Sequence, residues 1–375
     1  MSLDTQPNGY VPRRLHRKPR RIGRTVLLAA LMVVVCVLGV GGTYAAKFAT
    51  ALGQSETLQD NEVFPTNTDR PYKDPGDASM NILLLGADKS ATDEELDISA
   101  TSTDQRSDSM MLVHIPADRK KIYIMSVVRD SWVNIPGVGK SKINAAMSYG
   151  GVPKLVETLE GLFDQKIDHV AMVDFSAFRE LTKAIGGVTV NNPKAFCAYK
   201  TTPDVCFEAG NIHIEGQRAL KWVRERHAFP GSDYQRVRNQ QQFLKAVFKK
   251  VLSPEVLASP NKLFDVVNSV MPYVTTDKGL KDAGMLVGLG MQMTSLRSSD
   301  LVSFTVPTSG SQTIGGQSVE IPDYAAITQI GQAMANGTLD EYYASIKVKE
   351  AENEKLQSGA TSAGATSGPR TSTTP

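Results

Sequence analysis

The chain has 375 residues, a formal net charge of +2, and 41% hydrophobic and 21% charged residues. At about 150 residues per domain it can hold one large domain or two modest ones, with a substantial core. The near-neutral total hides an asymmetry, because Arg13, Arg14, Arg17, Lys18, Arg20, Arg21 and Arg24 all precede the first long apolar run and leave the remainder mildly acidic. A nucleic-acid role for that cluster would need a folded reading module, and about two dozen residues leave no room for one. The cluster reads instead as a topology signal with attraction to anionic membrane lipid, and nucleic acid is not expected among the partners.

Residues 25–46 contain no charged side chain. As a helix they would be roughly 33 Å long, enough to cross a bilayer core of about 30 Å. Basic residues stay on the cytoplasmic side, so residues 1–24 are predicted to be a cytoplasmic tail, 25–46 a single transmembrane helix, and Lys47 onward extracytoplasmic. A cleaved signal peptide is the rival reading, since Thr43 to Ala46 offers small residues. The apolar stretch, however, is longer than an h-region of about 7 to 15 residues. Ala51 to Ala78 is polar and broken by Pro65, Pro71, Pro75 and Gly76, which predicts a linker over 47–79 and a folded domain from Met80 to about residue 345.

Within that domain, Met80 to Leu85, Ser109 to Ile115 and Lys121 to Val127 are predicted strands, the last two joined by a hairpin-like turn. Leu155, Leu159 and Leu162 give Pro153 to Phe163 helical spacing. His169 to Val173 is a short buried strand, and Ser176 to Ile185 an amphipathic helix closed by Gly186 and Gly187. Val188 to Val190 is a strand. Helices are predicted over Gln217 to Glu225, Arg236 to Val251, Asn261 to Val270 and Lys278 to Thr294. Leu301 to Val306 and Gln312 to Ile321 return to strand character, and Tyr324 to Ala335 closes with a helix. Strands and helices alternate without strict βαβ regularity, so the fold class is mixed α/β, a central mixed sheet covered by helices. Residues 346–375 read as a low-complexity tail, rich in Ser, Thr, Gly, Ala and Pro beyond Glu352, and predicted disordered.

Of the three cysteines, Cys36 falls inside the predicted span. Cys197 and Cys206 bracket a short loop in a compartment where disulfides persist, which predicts a bridge between them. A metal site is the weaker alternative, because only His213 lies near them.

No Ser-His-Asp arrangement, P-loop or zinc signature is present. The chemistry-bearing feature is arginine beside acid at the ends of apolar strands: Arg106 with Asp108, and Arg129 with Asp130. Alone these read as surface ion pairs. A second basic group, Arg224, Arg226, Arg236 and Arg238, flanks the Pro230-Gly231 break. Arg224 and Arg226 can converge only if a helix ends there. Arg236 and Gln240, four apart at the predicted start of the next helix, can face one side, where a helix N-terminus favours anions. Arginine suits phosphate because its planar fork makes paired hydrogen bonds and stays charged. Asp88 and Asp108 would then be ligands to Mg²⁺ or Mn²⁺, since hard cations take carboxylate and phosphate oxygens.

The segments Asn81-Ile82-Leu83-Leu84-Leu85-Gly86-Ala87-Asp88, Arg106-Ser107-Asp108-Ser109-Met110-Met111 and Ser126-Val127-Val128-Arg129-Asp130 resemble the opening motifs of the LytR-CpsA-Psr domain. The resemblance continues through Lys142-Ile143-Asn144-Ala145, Val173-Asp174-Phe175, Gly186-Gly187-Val188, Arg224-Glu225-Arg226-His227, Asp233-Tyr234-Gln235-Arg236 and Gln240-Gln241. It implies a phosphotransferase that takes a glycan from a polyprenyl-pyrophosphate donor to peptidoglycan, at the C6 hydroxyl of N-acetylmuramic acid, with the lipid tail buried between sheet and helices. Carried over by motif, Asp88 and Asp108 would hold the metal, and Arg106, Arg129, Arg224, Arg226, Arg236 and Gln240 would line the diphosphate. Arg129 would stabilise charge at the transferring phosphorus, and Asp108 would take the acceptor's proton. Lys142 and Asp233 match positions nearby. The basic anchor and the extracytoplasmic cysteine pair incline this reading towards an actinobacterial arabinogalactan ligase. Two other functions remain distinct from it: a phosphatase acting on the same lipid diphosphate with water as acceptor, and a membrane-bound transcriptional attenuator, which the predicted topology separates from DNA.

Overall fold

The computed structural model describes residues 46–47, 49–66, 70–87, 107–198, 205–225, 228, 232–257 and 259–348. The predicted transmembrane helix, apart from Ala46, lies outside them, as does the chain beyond Val348. Among the described residues no helix is long and apolar enough to cross a membrane.

The described strands are β1 (Glu56–Leu58), β2 (Met80–Ala87), β3 (Ser107–Ile115), β4 (Ile122–Val127), β5 (Trp132–Ile135), β6 (Gly139–Lys142), β7 (His169–Val173), β8 (Val188–Asn192), β9 (Phe196–Cys197), β10 (Cys206–Phe207), β11 (Gly210–Ile214), β12 (Val274–Asp277), β13 (Leu301–Thr305), β14 (Thr308–Ile314) and β15 (Gln317–Pro322). Seven of them form the central sheet in the order β1-β12-β7-β2-β3-β4-β13. The β1/β12, β7/β2 and β4/β13 pairs are parallel, and the β12/β7, β2/β3 and β3/β4 pairs antiparallel. The sheet is thus mixed, as the irregular alternation of elements implies. The remaining strands pair as antiparallel hairpins or ribbons: β5 with β6, β8 with β11, β9 with β10 and β14 with β15.

Side chains alternate across the sheet, so neighbours such as Leu83 and Leu84 pack on opposite faces. One face carries Leu83, Leu85, Leu112 and Met125, all at most 1% exposed, under the Ala145–Phe163 and Tyr324–Asn336 helices. Full burial of such side chains contributes about 1.5–3 kcal/mol each. The two helices approach so closely that a Cβ on Gly331 would stand 2.0 Å from the Phe163 carbonyl oxygen. The Ala145–Phe163 helix is longer than its leucine spacing predicts. It bends at Gly150 and Gly151, where Gly151 has φ +65°, and Pro153 opens the straight segment that the spacing identifies.

The opposite face is covered by the Ser232–Val251 and Ala283–Gln292 helices, and less completely. Ile82, Leu84, Val113, Leu289 and Met293 there are only partly buried. A separate apolar cluster, centred on Trp222, Phe207 and Phe243, lies among β8, β11 and the Phe175–Ala184, Gly216–Arg224 and Ser232–Val251 helices.

Other features differ from the sequence reading as well. The 47–79 segment is packed rather than an irregular linker: β1 extends the sheet, Leu58 and Val63 are 4% and 0% exposed, and Arg70 meets the buried Glu160 at 2.6 Å. Its prolines punctuate the path without preventing docking. β12 joins the sheet although Val-Thr-Thr-Asp has no apolar run, because its backbone bonds to β7 and β1 need no side-chain pattern. Finally, the chain is helical through Val348, with Ile346 against the core, so the ordered body extends past residue 345.

Candidate active site

The strand directions gather the signature segments at one end of the sheet. Gly86 pairs with Ser109 and Ala87 with Ser107, a register shift of one residue that places a bulge just before Asp88. Bulges of this kind recur beside active sites, where they end regular pairing. Gly86 fits the close approach, since a Cβ there would meet the Ser109 Cβ at 3.1 Å. Met110 pairs with Val127, after which the chain leaves β4 through Val128 to Arg129 and Asp130. Val173 pairs with Gly86 from the other side. The backbone positions bearing Asp108, and those adjoining Asp88 and Arg106, therefore leave neighbouring strands together.

Arg129 and Asp130 make the predicted pair, with Nε to Oδ2 at 3.5 Å. Lys142, at the end of β6, joins them with its Nζ 2.9 Å from the other Asp130 oxygen. The Arg129 carbonyl oxygen accepts from the Asn144 N–H at 3.2 Å, which anchors the arginine to the start of the Ala145–Phe163 helix. These side chains are about three-quarters buried, so the pairing is stronger than an exposed one but still hydrated.

The Ser232–Val251 helix closes this end from the loosely covered face. Ser109 Oγ donates to Gln240 Oε1 at 3.3 Å. Gln241 Nε2 donates to Ser126 Oγ at 3.1 Å and to Thr305 Oγ1 at 3.2 Å. Arg236, one turn before Gln240 and on its side of the helix, is 5% exposed. The sequence reading places Arg236 at a helix N-terminus. The helix instead begins at Ser232, so Arg236 sits in its second turn, away from the helix end.

Arg224 is the last residue of its helix, as convergence with Arg226 requires, and its guanidinium lies 4.1 Å from the Phe175 ring centroid. Phe175 follows the end of β7, so this arginine belongs to the same end of the sheet. Glu225 beside it is 5% exposed and accepts from the Ala228 N–H at 3.0 Å. Asp88, Arg106 and Arg226 lie outside the described residues, and of Asp108 only the backbone is described. Among the described residues no group of three potential metal-binding side chains occurs. Asp108 lies in β3 where that strand pairs with the end of β2, and a carboxylate is the ligand type that a hard divalent cation takes.

Ser109, Ser126 and Gln241 lie within the family motifs without a role assigned to them by sequence, and Thr305 lies outside those motifs. Their signal is a polar residue near the end of an otherwise apolar strand, as in Ile-Tyr-Ile-Met-Ser-Val and Leu-Val-Ser-Phe-Thr. The loosely covered face thus has a polar end at the arginines and an apolar remainder. Elsewhere Cys197 and Cys206 form the predicted disulfide, which joins β9 and β10.

Residues 43–336 match the family model described as the LytR_cpsA_psr family. The chain is 30% identical over 295 residues to the polyisoprenyl-teichoic acid–peptidoglycan teichoic acid transferase TagT of Bacillus subtilis, covering 77% of this chain and 88% of that protein. With the correspondingly named TagU of Bacillus cereus it shares 31% identity over 253 residues, 66% of this chain and 76% of that one. Among solved structures it resembles B. subtilis TagV with a TM-score of 0.59 and 25% identity, over 70% of this chain and 98% of TagV. TagT bound to LI-WTA gives a TM-score of 0.55 and 26% identity, over 73% and 98%. Ordered motifs, mixed sheet and these matches agree that the chain belongs to the LytR-CpsA-Psr family.

Proposed function

We propose that the protein transfers a glycopolymer from a polyprenyl-pyrophosphate donor to peptidoglycan during cell wall assembly. The observation that carries this reading is the adjacency of a charged sheet end, with Arg129, Arg224 and Arg236, to an apolar face that its own helices only partly cover. A lipid diphosphate has that same polarity. Its polyprenyl tail would lie over Ile82, Leu84 and Val113, and its diphosphate among the arginines, with Gln240 closing the boundary. The named relatives support the class of donor and acceptor.

In the reaction, a hydroxyl of peptidoglycan, taken as the C6 hydroxyl of N-acetylmuramic acid, attacks the phosphorus that bears the glycan. A new P–O bond forms, the P–O–P bond breaks, and polyprenyl phosphate leaves with the electron pair. Arg129 stabilises the charge at the transferring phosphorus, while Arg106, Arg224, Arg226 and Arg236 hold the phosphate oxygens. Asp108 takes the proton of the acceptor hydroxyl. Mg²⁺ or Mn²⁺ held by Asp88 and Asp108 would neutralise phosphate charge. The disulfide fits an extracytoplasmic domain, behind a single N-terminal span at residues 25–46. The relatives' names specify teichoic acid, whereas the basic anchor and the cysteine pair point to arabinogalactan. Identifying which polymer is shed when the protein is depleted decides between them.

The direct test supplies labelled lipid-linked glycan and peptidoglycan to the full chain in detergent. Label is expected in the peptidoglycan, released by phosphodiester cleavage. Label found only in free glycan phosphate would replace transfer by hydrolysis.

A further inference from the structure

Two hairpins stand outside the central sheet beside Arg129 and Asp130, and the reaction above leaves them without a role. β5–β6 carries Trp132, Asn134, Lys140 and Lys142 on one face, while Val133 and Ile135, at 2% and 0% exposed, turn to the core. β14–β15 is tied to the site through the Glu320 N–H, which donates to the Asp130 carbonyl at 2.9 Å, and through the Ser131–Glu320 bridge. Tyr324 follows β15 after Asp323, and its hydroxyl donates to the Trp132 carbonyl at 3.3 Å. Its side chain nevertheless stays in solvent, with Tyr324 50% exposed.

The chemistry of this surface is unlike that of the diphosphate end. β14 carries no ionisable side chain, and Ser309 through Thr313 are exposed, offering hydroxyls and a carboxamide; the charge on the hairpin is Glu320 of β15, whose carboxylate accepts from Ser311 Oγ and from Thr308 Oγ1 at 3.4 Å. Such a hairpin has nothing to hold a diphosphate. It has what a sugar polymer requires: donors and acceptors for hydroxyl and acetamide groups, beside an aromatic ring against which the C–H face of a pyranose can lie. Lys140, exposed on the neighbouring hairpin, supplies one positive charge for a carboxylate-bearing sugar.

We infer that β5–β6, β14–β15 and Tyr324 form the platform on which the acceptor glycan strand lies, delivering its hydroxyl to the phosphorus beside Arg129. The inference rests on the transfer reading and adds the acceptor's binding site to it. The occupant is a strand of alternating N-acetylglucosamine and N-acetylmuramic acid. Continuity of the hairpins with Asp130, the lack of charge along β14 and the exposed ring together favour that occupant over the anionic donor.

The experiment titrates uncross-linked glycan strands of that composition, without donor, into the full chain in detergent. Strands are expected to bind wild type, to bind Tyr324→Ala about fivefold to tenfold more weakly, and to bind Tyr324→Phe as they do wild type. Retention by phenylalanine separates the ring from its hydrogen bond to Trp132, and equal melting temperatures exclude a folding defect. Gln312→Glu, on the exposed strand, is expected to weaken binding by repelling the carboxylates that uncross-linked strands carry on their stem peptides. No strand binding by wild type, or equal binding by wild type and both Tyr324→Ala and Gln312→Glu, overturns the platform. Donor turnover by water without strand binding sinks the platform and leaves the donor site standing. Strand binding without any donor turnover does the reverse.

Discussion

The two faces of the central sheet are built from the same strands and behave differently. Leu83 and Leu85 point into the Ala145–Phe163 side and are fully buried, while Ile82 and Leu84, their immediate neighbours, point under the Ser232–Val251 helix and are not. The first face is where packing stability resides. The second retains exposed apolar surface, which a folded protein keeps where something else will cover it. Its polar end, where Ser109, Ser126 and Thr305 meet Gln240 and Gln241, marks the point at which an apolar ligand would become polar.

The difference between the faces is tested at the rim, on either face and by pH, in decreasing order of effect. Arg129→Ala should lower transfer by about a thousandfold, the scale for removing a charge-stabilising group. Its melting temperature should stay close to wild type if, as proposed, the side chain serves the ligand and not the core. A matching loss of stability would reassign Arg129 to structure. Of the neighbouring leucines, Leu83→Ala should cost about 3 kcal/mol in denaturant unfolding. Leu84→Ala should cost about 1 kcal/mol and weaken donor affinity. Equal costs would mean that the faces are packed alike.

An effect no larger than that of Leu83→Ala comes from His114, which lies on the tightly packed face with Asn81, its Nδ1 2.7 Å from the Asn81 oxygen. Burial pushes its pKa from 6.5 down to about 4. The unfolded chain therefore binds a proton that the folded one refuses between those values, and stability falls as pH drops through that window. The full loss is roughly 3 kcal/mol at most. His114→Gln should flatten this part of the stability profile measured by thermal melting. An unchanged slope would assign the acid sensitivity to other groups.

Much of the sheet is legible in the sequence because alternation and apolar runs are local properties. β2, β3, β4, β7 and β13 each carry such a run. β1 and β12 do not, since three or four polar-leaning residues join the sheet through backbone pairing and polar side-chain contacts such as Thr275 with Glu56 and Asp277 with the Val170 N–H, none of which needs an apolar run. The arginine–acid pairs are visible as types, and Arg129 with Asp130 is an actual contact. The placement of Arg236 at a helix end is not legible, because Ser232 to Gln235 carry helix without any apolar periodicity to announce it. Lys142 as the second partner of Asp130 depends on the β5–β6 hairpin, whose four-residue strands have too few positions to display a pattern.

The most direct measurement uses a polyprenyl-pyrophosphate glycan with a photoreactive group in its tail, incubated with the full chain and mapped by mass spectrometry. Labelling is expected at Ile82, Leu84, Val113, Leu289 or Met293, competed by unmodified donor, and absent from Leu83 and Leu155. Competed labelling on the Ala145–Phe163 side, or scattered labelling that unmodified donor does not suppress, would contradict the assignment of the half-covered face to the lipid.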